Sequence, residues 1–598
     1  MPTEVTADNI DDVKNSDEYW ILDFWAEWCV SPDSVVYANE AAVSAGSLEE
    51  KGHKVFSFNQ ITGDIERSNV SEFAETNTEN MARLVTETGR SLEVAEDHEV
   101  YTQEENWKKV KNLDRGEKIA VLPVEDQEFE TSEKDEKILT GSDISSITSE
   151  SMRERDYISE LEEKRLLPLK LDEETLPLIA RITGFLFSDG TLYSNSSNNQ
   201  RTVEFSLGKK EDVEELQHGL EKLGFDSRAE KKESKFEIDG REVEMNLWRV
   251  RCSKTSLFLL FKALGVPEGR KTDKEYEIPS WVMEGPENIK REFLRGFIGG
   301  NGPKPAIGTQ GKRKGDYNSF LINDLEFHKK KELGESGLKF GRQLEKLFNE
   351  FGVTVRSVEK GDEFDRKDGS KSIKIKLKIS DDLESFYNYT NKLRPAYAHT
   401  KEIEFLKTGE YARKRIKKHE EASSLKQQAA EMREKGLEWD EIAEKIGKKK
   451  PTVYGWVKKD KNPLPKNESL YNEWLEKREF RENQKLLTEK VEEIESLEPR
   501  ETISMEIEGT HNYFANGILT HNCGPCKKLA PIFKEVSEEI EDVNFGKVDM
   551  EEQSQVGTQF GVRALPTLLI LKDGEEVART SGAMPKNKLK NWIKENTA

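Results

Sequence analysis

The sequence predicts a multidomain protein in which a small α/β domain is divided between the two chain ends. A second domain is expected inside it, and a third domain, with a helix-turn-helix, is expected inside that one. Three observations support this prediction. The chain has 598 residues, several times the size of a typical domain. A strand-like apolar run stops at Trp28 and continues only at Cys523, and two similar glycine-containing apolar segments lie between them.

The composition excludes several classes of protein. With 93 Lys and Arg against 116 Asp and Glu, the formal net charge is −23, so nucleic acid would have to be bound by local basic clusters. The acidic N-terminus does not resemble a signal peptide and the apolar runs are too short to span a bilayer, so we expect a cytoplasmic protein with no membrane partner. Four cysteines are too few for a disulfide scaffold, which leaves individual thiols with chemistry of their own.

The divided domain begins with a strand, because the run from Glu18 to Trp28 is rich in aromatic and aliphatic residues, as in a buried central strand. When residues 29–522 are removed, Trp28 is followed directly by Cys523-Gly-Pro-Cys526. The first 28 and the last 76 residues then make a chain of 104 residues, and this joined sequence resembles thioredoxin over its whole length. Its other predicted elements are a strand from Asn544 to Asp549, a strand entered through a proline in 563–574, and a helix from Lys586 to Asn596.

The resemblance to thioredoxin implies a dithiol-disulfide oxidoreductase with an α/β fold. Cys523 and Cys526 would be the redox pair, because a C-x-x-C motif at a helix N-terminus stabilises the thiolate of its first cysteine. Asp23 would be a buried proton acceptor with Lys547 as its charged neighbour, and Pro566 would be a cis proline beside the dithiol. Such a domain uses no cofactor and acts on protein disulfides with a thioredoxin reductase as partner. Zinc binding is the alternative, but the sequence has no second cysteine pair beside the motif.

The interrupting segment has the three groups that a self-excising segment needs. Cys29 is a nucleophile at its first residue, Cys523 is a nucleophile directly after its last residue, and Asn522 has a side chain able to attack its own carbonyl. The stretches 29–37 and 508–523 resemble the splice junctions of inteins. This resemblance implies an all-β Hint splicing domain that works without a cofactor.

The same resemblance implies roles for three histidines. His98 lies in a segment similar to the internal histidine motif of inteins and would assist the attack of Cys29 on the preceding carbonyl. His511 and His521 would assist the cyclisation of Asn522.

The chain departs from the intein pattern at two positions. Ala95 stands where a threonine is usual, three residues before the motif histidine, and Ser504 stands where an aspartate is usual. Ala95 lacks the hydroxyl that would help to hold or polarise the first amide, and the loss of the carboxylate at Ser504 is expected to slow or reroute the coupling of the first two steps. Active splicing is still the prediction, because the nucleophiles and the flanking histidines are all present.

Two similar helical segments, Leu176–Leu192 and Arg291–Gly302, indicate a further domain. The pair resembles the LAGLIDADG homing endonucleases, which implies an α+β domain whose two central helices bring terminal acids to one Mg²⁺ centre on double-stranded DNA. Asp189 would be a metal ligand, but the second position is Asn301, a weaker ligand for a hard cation, so we expect an inactive or nicking enzyme. Lys271 would be a lysine of that centre, and the alternative is a solvated basic loop.

A lysine-rich segment from Leu425 to Val457 predicts three short helices, with a turn at Gly447 and a helix-turn-helix arrangement. The residues expected at DNA phosphates are Lys448, Lys449 and Lys450, and those expected near base edges are Thr452, Tyr454 and Gly455. A charged helical hairpin that does not bind DNA is the alternative.

These predictions divide the chain into consecutive segments. They are the thioredoxin-like N-terminal segment (residues 1–28), the first segment of the splicing domain (29–125), a charged linker or peripheral charged helix (126–170), the endonuclease-like domain (171–410), the helix-turn-helix (420–463), a linker (464–497), the second segment of the splicing domain (498–522), and the thioredoxin-like C-terminal segment (523–598). The predicted function is that of a precursor that excises residues 29–522 and yields a mature thioredoxin. The alternative is a DNA-binding or endonuclease protein in which splicing is inactive and the redox motif stays unassembled.

Overall fold

The computed structural model describes most of the chain. The residues outside the description are 1, 26–29, 39–40, 49–52, 61–64, 79, 105, 123–135, 149–153, 174, 196–199, 239–240, 311–316, 367, 462, 464–469, 477–485, 522–523, 541, 550–552, 563–565, 582–583 and 598. The predicted site residues Cys29, Asn522 and Cys523 are therefore outside the described residues, as is the side chain of Cys526. The chain forms two compact units, residues 1–128 with 478–598 and residues 129–477.

The elements follow one another along the chain as three groups. The first group is β1 (Thr3–Glu4), α1 (Ile10–Lys14), β2 (Trp20–Trp25), β3 (Val35–Ala38), β4 (Ala41–Ser44), β5 (Lys54–Phe58), β6 (Ile65–Thr78), β7 (Met81–Thr86), β8 (Ser91–Ala95), β9 (Glu99–Tyr101), β10 (Trp107–Lys109) and β11 (Lys118–Val121). The second group is β12 (Lys137–Leu139), α2 (Gly141–Ile147), α3 (Glu154–Glu163), β13 (Leu169–Lys170), α4 (Leu176–Ser188), β14 (Gly190–Asn195), β15 (Gln200–Leu207), α5 (Lys210–Lys222), β16 (Arg228–Ile238), β17 (Arg241–Cys252), α6 (Thr255–Ala263), α7 (Ser280–Met283), α8 (Glu287–Asn301), β18 (Pro305–Gln310), β19 (Tyr317–Ile322), β20 (Leu325–Lys330), α9 (Gly334–Glu350), β21 (Val355–Asp365), β22 (Lys371–Ile379), α10 (Leu383–Lys392), α11 (His399–Glu434), α12 (Trp439–Ile446), α13 (Lys450–Lys458) and α14 (Tyr471–Glu476). The third group is β23 (Leu487–Leu497), β24 (Arg500–Ile507), β25 (Asn512–Ala515), β26 (Ile518–His521), α15 (Gly524–Glu539), β27 (Asn544–Asp549), α16 (Ser554–Gln559), β28 (Thr567–Lys572), β29 (Glu575–Ser581) and α17 (Lys586–Thr597).

The two chain ends build one α/β domain. Its sheet has the order β1-β27-β2-β28-β29, and β2 pairs in parallel with β27 and antiparallel with β28. Side chains alternate across β2, so that Ile21 joins an apolar cluster with Leu529 and Phe533 of α15, while Leu22 and Phe24 join a second cluster on the opposite face. The strand is thus buried on both faces, as the apolar run predicts.

The remaining strands of this unit form one large sheet around an apolar core. Its order is β24-β6-β5-β3-β25-β26-β11-β23-β7-β8, with β4, β9 and β10 attached to it. Strands from before and after the 129–477 unit alternate in it, because β24 pairs with β6 and β23 lies between β11 and β7. The all-β domain is therefore assembled from two distant stretches of the chain.

One predicted boundary of this domain is wrong. Residues 464–497 are expected from the sequence to be a linker, but β23 occupies Leu487–Leu497 and is a central strand of the sheet. Leu487, Glu489 and Val491 point into the core and alternate with more exposed residues. The high charge of this segment hides that alternation in the sequence.

The described part of the 129–477 unit contains two helices at its centre and four sheets. Helices α4 and α8 pack against each other, the two larger sheets have the orders β14-β15-β17-β16 and β20-β22-β21, and β12-β13 and β18-β19 form two-stranded sheets. Each central helix is followed by a strand hairpin, β14–β15 after α4 and β18–β19 after α8. Among the described residues, no helix is long and apolar enough to cross a membrane.

Two further predictions for this unit need correction. Instead of a linker or a single peripheral charged helix, the described portion of 126–170 contains β12, α2, α3 and β13, because Ile144 and Leu161 bury apolar side chains against the rest of the unit. The first of the three short helices predicted after Leu425 is instead the end of α11, which begins at His399 and runs for 36 residues. The predicted domain break at 410–420 therefore falls inside a continuous helix.

Candidate functional site

The backbone of Val30 is held in the large sheet between two strands. Its amide donates to the carbonyl of Ile503 (2.9 Å) and its carbonyl accepts from the amide of Ile503 (2.8 Å). The next amide, of Ser31, donates to the carbonyl of Glu93 on β8 (2.9 Å). The residue that follows Cys29 is thus fixed by the strand that carries Ser504 and by the strand that leads to His98.

His98 is fully buried in the loop between β8 and β9. Its amide donates to the carbonyl of Ala95 (2.9 Å), and its carbonyl accepts from the amide of Val110 (2.9 Å). Neither ring nitrogen has a hydrogen-bond partner among the described residues. Burial, together with repulsion from His521, lowers the pKa of His98 to about 3, so the imidazole is neutral.

His521 ends β26 and lies close enough to His98 to affect its ionisation. The pairing of Thr520 with Val100 brings β26 beside β9, the strand that follows His98. The ring of His521 meets the ring of Trp107 edge-on, with 4.8 Å between centroids. The structure therefore brings together two of the three histidines that the sequence singled out.

His511 precedes β25, whose first residue, Asn512, pairs with His521. Its Nδ1 lies 2.8 Å from Oε1 of Glu506, and this hydrogen bond raises the pKa of His511 above its ordinary value. The carboxylate of Glu506 is buried, whereas the His511 ring is largely exposed. Sequence reasoning missed Glu506, because nothing in its spacing distinguishes it from the other acidic residues of β24.

The two departures from the intein pattern, Ala95 and Ser504, lie next to His98 and Val30. Ala95 is buried at the end of β8, and its carbonyl accepts the amide of His98. Ser504 is buried on β24 beside Ile503, and its Oγ has no hydrogen-bond partner among the described residues. A hydroxyl thus stands one residue from the strand contact that fixes Val30.

A buried ion pair joins the two stretches of the β domain. Nε of Arg90 lies 3.5 Å from Oε1 of Glu489 on β23, and both side chains are fully buried. The hydroxyl of Thr88 donates to Oε2 of Glu489 (2.6 Å). The side-chain amide of Asn516 donates to the carbonyl of Ser91 (2.7 Å), at the start of the strand that leads to His98.

The predicted redox residues lie around β2. Asp23 is fully buried, and neither of its carboxylate oxygens has a hydrogen-bond partner among the described residues. Burial raises the pKa of Asp23 to about 7, although the charge of Lys547 acts in the opposite direction. Asp23 and Lys547 are register partners on β2 and β27. Pro566 is buried directly before β28, and its peptide bond involves residue 565, which is outside the described residues.

Helices α4 and α8 approach each other through glycines. A Cβ added at Gly184 would lie 1.9 Å from the carbonyl oxygen of Phe293, and a Cβ at Gly296 would lie 1.9 Å from that of Arg181. A Cβ at Gly300 would lie 3.1 Å from Cγ of Asp189, so the C-terminal ends of the two helices meet. Asn301 is the last residue of α8 and follows Gly300.

Two lysines lie at the ends of these helices. Nζ of Lys271 donates to backbone carbonyls at the end of α4, and burial lowers the pKa of Lys271 to about 8. Nζ of Lys401 donates to carbonyls at the end of α8, and burial lowers its pKa to about 8 as well. Although Asp189 keeps an exposed surface, the protein around its carboxyl raises its pKa, and both lysines oppose this shift. The sequence did not single out Lys401, because it begins a long charged helix and carries no motif.

This centre does not fit a divalent cation. Asp189 contributes one carboxylate, Asn301 is neutral, and the carbonyls that could complete a coordination shell accept hydrogen bonds from ammonium groups. Among the described residues, no three His, Cys, Asp or Glu side chains are grouped so as to hold a metal.

The last three helices before residue 460 share a small core of Ala429, Ile442, Ile446, Val453 and Trp456. The turn after α12 is made by Gly447, whose φ of 67° favours glycine. Of the predicted DNA-contacting residues, Lys448, Lys449, Thr452 and Tyr454 are exposed, and Lys450 pairs with Asp440 at 2.8 Å. Gly455 is buried beneath Lys461, so its predicted approach to base edges is wrong.

Comparison with known proteins identifies both domains of the first unit. A family model described as intein splicing domain matches residues 35–522, and one described as thioredoxin matches residues 517–595. The tRNA-splicing ligase RtcB of Pyrococcus furiosus is 29% identical over 493 residues, which are 78% of this chain and 46% of that protein. The DNA-directed RNA polymerase subunit Rpo1N of Methanocaldococcus jannaschii is 26% identical over 515 residues, 83% of this chain and 34% of that protein.

The thioredoxin of Mycoplasmoides gallisepticum is 39% identical over 72 residues, which are 12% of this chain and 72% of that protein. By contrast, the chain spans about half of the RtcB protein and about a third of the polymerase subunit. The chain therefore belongs to the intein splicing domain family, and it carries a thioredoxin domain at its C-terminal end.

Proposed function

We propose that the chain is a precursor that removes residues 29–522 by autocatalytic splicing and joins Trp28 to Cys523. The proposal rests on one observation, which is that the chain on the two sides of each end of this segment belongs to different domains. Val30 and His521 belong to one β domain, whereas β2 and β27 belong to one α/β domain. Excision of the β domain would leave the strands of the α/β domain already paired.

In the first step, the thiol of Cys29 attacks the carbonyl carbon of Trp28, and a thioester replaces the amide. His98 accepts the thiol proton and delivers it to the departing amide nitrogen of Cys29. The lowered pKa of His98 leaves the resting imidazole neutral and makes its protonated form a strong acid, which suits delivery of the proton to the departing nitrogen. The backbone hydrogen bonds of Val30 hold the residue that follows Cys29 in the sheet, beside the strand that leads to His98.

In the later steps, the thiolate of Cys523 attacks the thioester and takes the acyl group from Cys29. The side-chain nitrogen of Asn522 then attacks its own carbonyl carbon, which cleaves the bond to Cys523 and leaves a succinimide. His511, hydrogen-bonded to Glu506, and His521 supply the proton that the released amine needs. The amine of Cys523 finally attacks the thioester, so that an amide joins Trp28 to Cys523, and no cofactor takes part.

The spliced product is proposed to be a dithiol-disulfide oxidoreductase of the cytoplasm. Cys523 and Cys526 would be its redox pair, and Asp23, with a pKa of about 7, would exchange a proton with the dithiol near neutral pH. Its partners would be protein disulfides and a thioredoxin reductase. The buried position of Pro566 before β28 is consistent with the role that the thioredoxin resemblance implies.

The 129–477 unit is proposed to bind double-stranded DNA. The glycine contacts between α4 and α8 support the LAGLIDADG resemblance, and the exposed Lys448, Lys449 and Thr452 support a DNA-contacting helix-turn-helix. The unit is proposed to be an inactive or nicking relative of the homing endonucleases, because Asn301 stands in place of the second metal-binding acid. Nicking needs a divalent cation that the centre at Asp189 and Asn301 does not suit, so the inactive form is favoured.

The names of the relatives do not transfer to this chain. An RNA ligase and an RNA polymerase subunit have unrelated activities, yet each aligns with about four fifths of this chain and with less than half of its own length. A shared removable segment explains this pattern, whereas a shared ligase activity does not. The rival function is a DNA-binding protein in which splicing is inactive.

Intact-mass spectrometry of the expressed protein tests the proposal. We expect a product of 104 residues and an excised segment made of residues 29–522, together with a peptide that crosses the new Trp28–Cys523 bond. The Asn522→Ala variant is expected to lose the joined product. If only the intact chain is found under reducing conditions, the splicing proposal fails and the rival function gains.

A further inference from the structure

The end of α4 is closed by a lysine from a distant loop. Nζ of Lys271 donates to the carbonyl oxygens of Leu186 (2.8 Å), Ser188 and Gly190 (2.7 Å). These carbonyls surround the C-terminal end of the helix, where the helix dipole is negative. One ammonium group thus engages three oxygens beside Asp189.

The end of α8 is closed in the same way by a second lysine. Nζ of Lys401 donates to the carbonyl oxygens of Ile298 (2.8 Å), Gly299 (2.8 Å) and Gly300 (3.3 Å). Lys401 comes from α11, and Lys271 comes from a short turn before α7. The two lysines are unrelated in sequence position, yet they occupy equivalent places on the two central helices.

The charges at this centre are the reverse of those in a metal site. A pair of carboxylates at the helix ends would carry two negative charges and would attract divalent cations. At the helix ends the groups are one carboxylate from Asp189, one neutral amide from Asn301 and two ammonium groups. The pocket beside Asp189 is lined further by Asp212, Lys209 and Lys304, and the charges of Asp212 and Lys304 act on Lys401. Two carboxylates and four ammonium groups have a formal sum of +2, which suits an anion such as a DNA phosphodiester.

We infer that the ammonium groups of Lys271 and Lys401 take the places of divalent cations at the ends of α4 and α8, so that this centre holds a DNA phosphate without metal. The inference rests on the proposed DNA binding of this unit for the identity of the anion. The exclusion of the cation depends only on the protein, and it can be measured without DNA.

The test counts Mn²⁺ ions bound to the full chain, with splicing blocked by Cys29→Ala and Asn522→Ala. Free Mn²⁺ is measured by electron paramagnetic resonance, because Mn²⁺ takes the same oxygen ligands as Mg²⁺. The Asp189→Asn variant is expected to bind as many ions as its parent. Asp324→Asn, which removes an exposed carboxylate of the same unit, is the matched control for weak surface binding.

Loss of one bound ion in Asp189→Asn but not in Asp324→Asn would overturn the inference. Replacement of both lysines, Lys271→Met with Lys401→Met, is expected to create one Mn²⁺ site that Asp189→Asn removes. A folded double variant that gains no ion would also overturn the inference. If the double variant does not fold, the number of Mn²⁺ ions bound by Asp189→Asn and by its parent still tests whether the centre excludes the cation.

A second measurement concerns the anion. Binding of a random-sequence DNA duplex is expected to be equally tight in EDTA and in Mg²⁺ at matched ionic strength. A tenfold gain in Mg²⁺ that Asp189→Asn abolishes would contradict the inference. Absence of duplex binding in both buffers would refute the proposed DNA binding, and with it the binding of a DNA phosphate at this centre. The number of bound Mn²⁺ ions would still show whether the centre excludes a divalent cation.

Discussion

The buried pair of Arg90 and Glu489 offers a sharp test of how the splicing domain is held together. The Glu489→Gln variant keeps the size of the side chain but leaves the guanidinium of Arg90 buried with a neutral amide in place of its carboxylate. Removing one partner of a buried pair costs about 3–5 kcal/mol. Because an amide still accepts one hydrogen bond, we expect Glu489→Gln to lower the free energy of unfolding by about 3 kcal/mol. The ratio of folded to unfolded domain would then fall roughly a hundredfold.

The same strand supplies a matched control. Glu495 also pairs with an arginine, Arg83, at 3.0 Å, but its side chain is 56% exposed. Exposed pairs contribute between zero and about 1 kcal/mol, so Glu495→Gln is expected to change little.

The assay compares urea unfolding of the two variants in chains blocked by Cys29→Ala and Asn522→Ala, and splicing yield in otherwise unchanged chains. We expect a lower unfolding midpoint and accumulated precursor for Glu489→Gln only. Equal midpoints for the two variants would refute the reasoning that burial makes this pair matter.

Four further predictions follow from the structure. Because the hydrogen bond to Glu506 raises the pKa of His511, Glu506→Gln should shift the pH profile of cleavage at Asn522 to lower pH, and an unchanged profile in a Cys29→Ala chain would contradict this. The raised pKa of Asp23 means that the folded domain holds a proton that the unfolded chain releases. The free energy of unfolding of the spliced product should therefore be highest near pH 4 and fall by several kcal/mol up to pH 7. In denaturant titrations over this range, the free energy of unfolding of Asp23→Asn should change little with pH. Gly296→Ala should lower the free energy of unfolding of the 129–477 unit by about 1–3 kcal/mol, because its Cβ would meet the carbonyl of Arg181. Gly208→Ala, with open space around it, is the control and should have a much smaller effect, and thermal unfolding scans compare the two variants. Lys448→Ala with Lys449→Ala should weaken duplex binding without regard to sequence and reduce the salt slope by about 2 in fluorescence anisotropy, and an unchanged slope would remove these lysines from the interface.

Much of the fold could be predicted, because short stretches of sequence indicate their own secondary structure and burial. The apolar run before Trp28 marks a strand buried on both faces, and Ile21, Leu22 and Phe24 are indeed buried there. Two similar segments indicated a pair of helices, and the structure adds that these helices are in close contact at Gly184 and Gly296.

Other features could not be predicted, because they depend on partners that are far away in the sequence. Strand β23 is highly charged, and only its pairing with β11 and β7 makes it a central strand. Glu506 and Lys401 carry no motif, and they matter because the fold places them against His511 and against the end of α8. The charged segment 126–170 likewise gains its structured elements from contacts of α2 and α3 with α6.

The chemistry proposed for this protein comes from its sequence. The proposed nucleophiles Cys29 and Cys523, the proposed cyclising residue Asn522 and the C-x-x-C motif are recognisable from residue type and spacing, because chemical groups and their order survive any folding. The tertiary structure decided which groups are neutral, charged or held in place. His98 loses its charge by burial, His511 gains proton affinity from Glu506, and two lysines occupy the helix ends beside Asp189. Solvation and Coulomb interactions depend on distance in space, and only the folded chain brings these groups together.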